Sequence, residues 1–289
     1  MGETLLLDRP NRQPGRRRPG TIAYDDTGGS GALVVCVPGM GDVRGVYRYL
    51  VPVLTGAGHR VVTMDVRGHG ESSTGWDDYS AAAVGSDVVA LVRHLDAGRA
   101  YVIGGSMGAG SAVCAAAEAP ELVAGIVLIG PFVRDVPQHG IKRVLMPLGS
   151  RVLAMRAGFW TRYYYRSLYP SRPPADLDAY IKALTSNLAE PGRLTALRRM
   201  LAASKSDIEP RLEQVKAPAL VVMGTADPDF DDPSAEAELV AGRLKARTVL
   251  VEGAGHYPQA ERPDITGPAI TGFLSSHPTD NPAAGAINA

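Results

Sequence analysis

Ala100-Tyr101-Val102-Ile103-Gly104-Gly105-Ser106-Met107-Gly108 runs straight into the alanine-rich stretch 109–119. The apolar run at its start predicts a short buried strand, and the small residues beyond it predict a helix. Between them stands Gly104-Gly105-Ser106-Met107-Gly108, a G-x-S-x-G pattern in the strand–turn–helix context that gives the pattern its meaning. A serine on so sharp a turn is backbone-strained, and side chains two residues to either side would collide with neighbouring chain. The turn lifts the hydroxyl out of the sheet towards a helix N-terminus, where backbone N–H groups and the helix dipole stabilise a negative oxygen. Ser106 is therefore a candidate nucleophile. A helix N-cap is the competing reading, but a cap does not require glycines at 104, 105 and 108.

Outward from this turn, short apolar runs alternate with helical patterns, which predicts an α/β fold with a doubly wound, mostly parallel sheet. The expected core strands are 33–37, 60–65, 100–104, 123–129, 218–223 and 247–251, with antiparallel edge strands at 21–24 and 4–7. Most core runs are apolar on both parities, as in a sheet covered on both faces. Helices are expected over 45–56, 80–95, 107–118, 234–244 and 261–276. Residues 133–210 break the alternation. No strand-like run occurs there, helical periodicity covers 144–160 and 177–188, and prolines at 137, 147, 170, 173, 174 and 191 cut the segment into pieces. The expectation is a core of 1–132 and 211–289 with 133–210 inserted as a helical cap. The cap would lie on the C-terminal side of the sheet, where open α/β proteins place their ligands. The loop holding Arg16-Arg17-Arg18 is expected to be solvated, and the tail from Pro278 to be disordered.

The 289 residues are 45% hydrophobic, enough for one large core, and 30 basic residues balance 30 acidic ones. No global field therefore argues for a nucleic-acid partner. Cys36 and Cys114 are too few for a disulfide framework and read as buried small hydrophobes. No apolar run approaches the roughly 20 residues of a membrane span. The start lacks a basic leader region, and Leu6 stands where myristoylation needs Ser or Thr, so the expected location is cytoplasmic.

A serine needs a base, and the base needs a group to orient it. After the strand 218–223 comes Gly224-Thr225-Ala226-Asp227-Pro228, and after 247–251 comes Glu252-Gly253-Ala254-Gly255-His256-Tyr257-Pro258. Ser106, Asp227 and His256 each stand just past a different strand, in the chain order of a nucleophile–acid–base set. Of the other histidines, His59 and His277 flank elements, His94 lies within a helix, His69 in a turn and His139 in the cap. Asp229, Asp231 and Asp232 crowd Asp227, and Asp135, after the preceding strand, is a fallback acid.

At these residues the sequence resembles the α/β-hydrolase superfamily over nearly the whole chain. Val37-Pro38-Gly39-Met40-Gly41-Asp42 resembles the family's oxyanion loop, and Asp65-Val66-Arg67-Gly68-His69-Gly70-Glu71-Ser72 resembles the turn after its fourth strand. The resemblance implies an oxyanion hole made by the backbone N–H groups of Met40 and Met107. Pro38 departs from the histidine that many members carry. Asp42 and Arg44 beside this loop read as solvated or loop-fixing, or as catalytic.

The implied activity is serine-dependent hydrolysis of an ester-type bond in a small or medium, partly apolar substrate, with no metal and no organic cofactor. Similar proteins use the same triad for thioester hydrolysis, carbon–carbon bond hydrolysis or cofactor-free perhydrolysis, and some act as slow, receptor-like ligand binders. The fold alone does not choose among them. Dinucleotide binding is disfavoured because Arg44 and Val113 stand where a G-x-G-x-x-G spacing needs its last glycine, and no zinc signature occurs.

From Arg134 to Arg172 the expected cap carries Lys/Arg at 134, 142, 143, 151, 156, 162, 166 and 172 against Asp135 alone, with aromatics at 159, 160, 163, 164, 165 and 169. Three readings stay open: a solvated face with inward aromatics, a mouth steering anionic acyl substrates, or a peripheral contact with anionic lipid.

Overall fold

The computed structural model describes residues 2–9, 18–135 and 155–279. The arginine-rich loop 10–17, residues 136–154 and the tail 280–289 lie outside the described residues. With them go Lys142, Arg143, Arg151, His139 and most of the 144–160 helical pattern.

An eight-stranded sheet has the order β1-β2-β4-β3-β5-β6-β7-β8. Its strands are β1 Glu3–Arg9, β2 Arg18–Asp26, β3 Leu33–Val37, β4 Arg60–Met64, β5 Ala100–Gly105, β6 Val123–Ile129, β7 Ala219–Gly224 and β8 Arg247–Val251. From β4 through β8 every pairing is parallel, while β2 runs antiparallel to both β1 and β4. This corrects the expectation of two antiparallel edge strands. β1 is the edge, β2 lies inside it, and β1 therefore runs with the body of the sheet. Both strands are also longer than their apolar cores.

Every residue of β3, β5, β6 and β7 is buried. Alternate side chains point to opposite faces, so each strand feeds two cores. Leu33, Val35 and Val37 join Val102, Leu128 and Val113 on one face, while Val34 and Cys36 join Tyr101, Ile103 and Phe273 on the other. Cys36 and Cys114 are free, buried and on opposite faces. The first face is covered by α2 (Ala81–Leu95) and α3 (Met107–Glu118), the second by α1 (Val51–Gly56) and the C-terminal helix.

Prolines stand at two breaks between helical stretches, and the expected 261–276 helix is found from Pro263 onward. The 45–56 pattern becomes a 3₁₀ turn, Arg44–Tyr47, followed by α1, with Pro52 near its start. Proline fits the first helical turn because the N–H it lacks has no intrahelical partner there.

Between β6 and β7 the described residues hold helices and no strand. They are α4 (Ala157–Phe159), continuing into a π-helical turn Trp160–Tyr165, then α5 (Leu177–Leu188), α6 (Arg193–Ala202) and a 3₁₀ turn Glu209–Gln214. After β7 comes α7 (Pro233–Leu244), and after β8 come α8 (Pro258–Glu261) and α9 (Pro263–Ser276), with the second break between them. Leu177, Ile181, Leu184 and Leu188 form one buried stripe that seats α5 on the second core. Among the described residues no helix is long and apolar enough to cross a membrane.

Candidate active site

Ser106 stands at φ 55°, ψ −122°, between the end of β5 and the first turn of α3. For a non-glycine residue this backbone costs about 1–3 kcal/mol. The neighbours impose it. A Cβ on Gly104 would lie 2.1 Å from the Gly108 carbonyl oxygen, and one on Gly108 would lie 2.3 Å from the Val37 oxygen. The Ser106 N–H donates to the Ile129 carbonyl at 2.9 Å, which ties the turn to the end of β6. Its side chain makes no capping hydrogen bond to α3, so the N-cap reading fails. Met107 is the first residue of α3, where an N–H has no intrahelical acceptor.

The loop after β3 approaches from the other side. A Cβ on Gly39 would lie 2.8 Å from the Ser106 Cβ and 3.3 Å from its Oγ, so Met40 directly follows a residue packed on the serine side chain. The next N–H, that of Gly41, donates to His69 Nε2 at 3.1 Å. His69 Nδ1 lies 3.2 Å from the Arg67 carbonyl; Nε2 accepting from Gly41 assigns the ring hydrogen to Nδ1. Burial lowers this imidazole to about 4, keeping it a neutral acceptor. Asp42 is fully buried and not solvated. It accepts from the Tyr180 hydroxyl at 2.6 Å, the Val43 N–H at 2.8 Å and the Tyr165 hydroxyl at 2.9 Å. Arg44 pairs with Asp25, Asp65 and Glu71. Both residues fix the loop.

The Ala226 N–H donates to the Ala254 carbonyl at 2.9 Å, joining the loops after β7 and β8. That junction brings His256 Nδ1 to 2.7 Å from Asp227 Oδ2, with both side chains buried. Parallel neighbours are about 4.8 Å apart, and β6 and β7 separate β8 from β5, so a pairing of His256 with Ser106 requires the β8 loop to reach back across the sheet. Two contacts position His256. The His256 N–H donates to the Leu168 carbonyl at 3.0 Å, and the His256 ring lies 5.7 Å from Phe132, whose own N–H donates to the Ser106 carbonyl at 3.2 Å. Phe132 thus touches both the serine and the histidine.

The crowd of acids near Asp227 sorts by position. Asp232 caps α7 through the Ala235 N–H at 2.9 Å. Asp229 places Oδ2 3.7 Å from His256 Nδ1 and accepts from the Tyr164 hydroxyl at 2.7 Å. Burial pushes the Asp229 carboxyl up, against the pull of His256. For His256, burial opposes the charge, but the carboxylates of Asp227, Asp229 and Asp42 outweigh it and raise the imidazole to about 9. Asp135 is exposed and accepts from Ser204 Oγ and the Lys205 N–H, both at 3.1 Å, so the fallback acid serves a surface turn instead. Among the described residues, the ligand atoms close enough to share a cation belong to Asp227, Asp229 and His256, within 4.8 Å of one another. His256 and Tyr164 already engage those carboxylates.

Sequence reasoning named Asp229 only within a crowd of acids and Trp160 only within a cluster of aromatics, and it missed their contacts, the tyrosine partners of Asp42 and the acceptor role of His69. Local spacing gave no signal for them except the tyrosine run 163–165. In a π-turn residue i+5 comes over residue i, so Trp160 and Tyr165 both turn inward while Tyr163 faces solvent.

The family model described as "alpha/beta hydrolase fold" matches residues 32–263. The chain is 29% identical over 256 residues to 2-(acetamidomethylene)succinate hydrolase of Mesorhizobium japonicum, covering 86% of this chain and 90% of that one. It is 27% identical over 268 residues to 2-hydroxy-6-oxononadienedioate/2-hydroxy-6-oxononatrienedioate hydrolase of Paraburkholderia xenovorans, covering 88% of this chain and 90% of that one. A thermophilic esterase structure from Thermogutta terrifontis superposes with a TM-score of 0.77 at 24% identity, covering 96% of this chain and all of that one, and it speaks to the fold. A parallel sheet with a strained serine turn, and a family match spanning most of that sheet, lead to one conclusion: the chain belongs to the α/β-hydrolase family.

Proposed function

We propose that this enzyme is a serine hydrolase that cleaves ester-type bonds through an acyl-enzyme. The observations that support the reading are the strained Ser106 turn and a buried His256–Asp227 pair 2.7 Å apart, with Phe132 in contact with both. In this scheme Ser106 Oγ attacks the carbonyl carbon and its proton passes to His256 Nε2, while Asp227 accepts from Nδ1–H and fixes the tautomer. The oxyanion is stabilised by the N–H groups of Met40 and Met107. His256 then protonates the leaving oxygen, and a water deprotonated by His256 releases the acid and restores the serine.

Ser106→Ala is expected to lower turnover of p-nitrophenyl esters by several orders of magnitude, on the order of 10⁶, and to abolish labelling by a fluorophosphonate probe. Near-normal turnover in that variant rejects the serine role. A rate profile across acyl lengths, with thioesters alongside, defines the substrate.

The segment between β6 and β7 serves as a cap in this reading. Arg134 pairs with Glu236 and Arg166 with Asp178, and Trp160, Tyr165 and Tyr169 pack inward. Phe159, 39% exposed, and Tyr163, 67% exposed, face solvent beside exposed Arg156 and Arg162. A peripheral contact with anionic lipid would rest on this face. Co-flotation with phosphatidylglycerol vesicles that is lost in a Phe159→Ser, Tyr163→Ser double variant supports the contact, and absence of flotation removes it.

A further inference from the structure

Trp160 is 3% exposed, and its indole Nε1 is buried with no hydrogen-bond partner among the described residues. A buried donor left without an acceptor is rare in native structures and calls for an explanation. Its place supplies one. A Cβ on Gly41 would meet Trp160 Nε1 at 2.4 Å and Cε2 at 2.8 Å, so the edge of the indole that carries the N–H rests on the loop holding Met40. At the other end of the same short loop, a Cβ on Gly39 would touch the Ser106 Cβ at 2.8 Å. Gly39 and Gly41 are two residues apart, a span of about 7 Å at most. The indole edge and the serine therefore contact the two ends of one three-residue loop.

The neighbouring carboxylates are engaged elsewhere. Asp42 takes the hydroxyls of Tyr180 and Tyr165, Asp229 takes that of Tyr164, and the Gly41 N–H is given to His69. The indole offers a donor and no acceptor, so the group that completes it carries an oxygen lone pair.

We propose that Trp160 Nε1–H donates to a second oxygen of the substrate, an ether, carbonyl or hydroxyl oxygen near the scissile carbonyl, and so sets the preferred substrate as an oxygen-bearing ester. The proposal rests on the serine-hydrolase reading of Ser106. No covalent step is added; the donor selects and orients the substrate.

Pairs of esters that exchange CH₂ for oxygen test this: p-nitrophenyl methoxyacetate against butyrate, 3-methoxypropanoate against pentanoate, and 4-methoxybutanoate against hexanoate. The quantity read is the kcat/KM ratio within each pair for wild type divided by the same ratio for Trp160→Phe, which cancels intrinsic ester reactivity. A second arm, 2-methoxyethyl butyrate against butyl butyrate, places the oxygen on the alcohol side. In at least one pair the ratio is expected to fall about three- to tenfold in the variant, the size of a lost neutral hydrogen bond. Which arm responds tells acyl from alcohol recognition.

Replacement of Trp160 by 3-benzothienylalanine keeps the bicyclic shape and puts sulfur where the N–H was, so the same fall there excludes a packing effect. Unchanged ratios in every pair, in an enzyme whose turnover still depends on Ser106, overturn the Trp160 assignment and leave the N–H to an ordered water. Turnover independent of Ser106 overturns the hydrolase reading instead.

Discussion

At the residue scale, the electrostatics around His256 decide how a base would work here. Its imidazole is held at about 9 because burial, which disfavours the cation, is outweighed by Asp227, then Asp229, then Asp42. A general base acts only when deprotonated, so kcat/KM is expected to rise with pH through about 9 instead of levelling off near the ordinary histidine value of about 6.5. The groups facing this ring are Asp227 and Asp229 from the β7 loop, Asp42 from the β3 loop, Tyr257 beside it, and Tyr164 through Asp229. Asp229→Asn removes one negative charge, so the cation loses support and the acid limb moves to lower pH. An unshifted limb in the pH–rate profile of that variant would show that Asp229 carries no charge when the base titrates. Asp229 lies two residues beyond Asp227, and sequence could name the crowd of acids there. Only the Tyr164 contact picks out this one.

At the scale of elements, the serine turn depends on backbone approach more than on glycine as such. Gly108→Ala would drive a Cβ to 2.3 Å from the Val37 carbonyl oxygen, whereas one on Gly105 meets only the Tyr47 hydroxyl at 3.3 Å. Neither contact is equivalent, because a side-chain hydroxyl can shift and a strand carbonyl cannot. Gly108→Ala is expected to destabilise the fold by about 1–3 kcal/mol or more, and Gly105→Ala by less than about 1 kcal/mol, measured by urea denaturation. Equal losses at both positions would contradict this account of the turn. The strands around the turn were legible because their apolar runs fill both faces of the sheet. Helix ends were less so. Periodicity ran the 3₁₀ turn 44–47 together with the helix that holds Pro52, and it began the last helix two residues before Pro263.

On the scale of the whole molecule, polar bonds, buried at Asp42 and partly exposed at Arg48, join the inserted segment to the sheet. Asp42 receives Tyr165 from the π-turn and Tyr180 from α5, and Arg48 clasps Asp176 at 2.6 and 2.7 Å. Asp42→Ala would remove the stronger acceptor of the Tyr165 and Tyr180 hydroxyls, leaving them Tyr169 Oη at 3.2 Å and the Val43 carbonyl at 3.4 Å, at a cost of about 1–3 kcal/mol. The expected result is faster amide hydrogen exchange over 177–188 with the exchange of β5 and β6 little changed. Uniform acceleration across the sheet would instead mean that Asp42 supports the global fold and not this docking.

The positions of the core strands along the chain, the sharp serine turn and the identities of Asp227 and His256 as strand-end residues could be read from the chain, because hydrophobic period and glycine placement are local properties. The 2.7 Å approach of His256 to Asp227, the choice of Asp229 over Asp231 and Asp232 as the second acid near the ring, and the inward turn of Trp160 were decided by the tertiary structure. Each depends on loops from β3, β7 and β8 and the segment after β6 meeting over one end of the sheet, and no spacing along the sequence records distances between strands that are far apart in the chain.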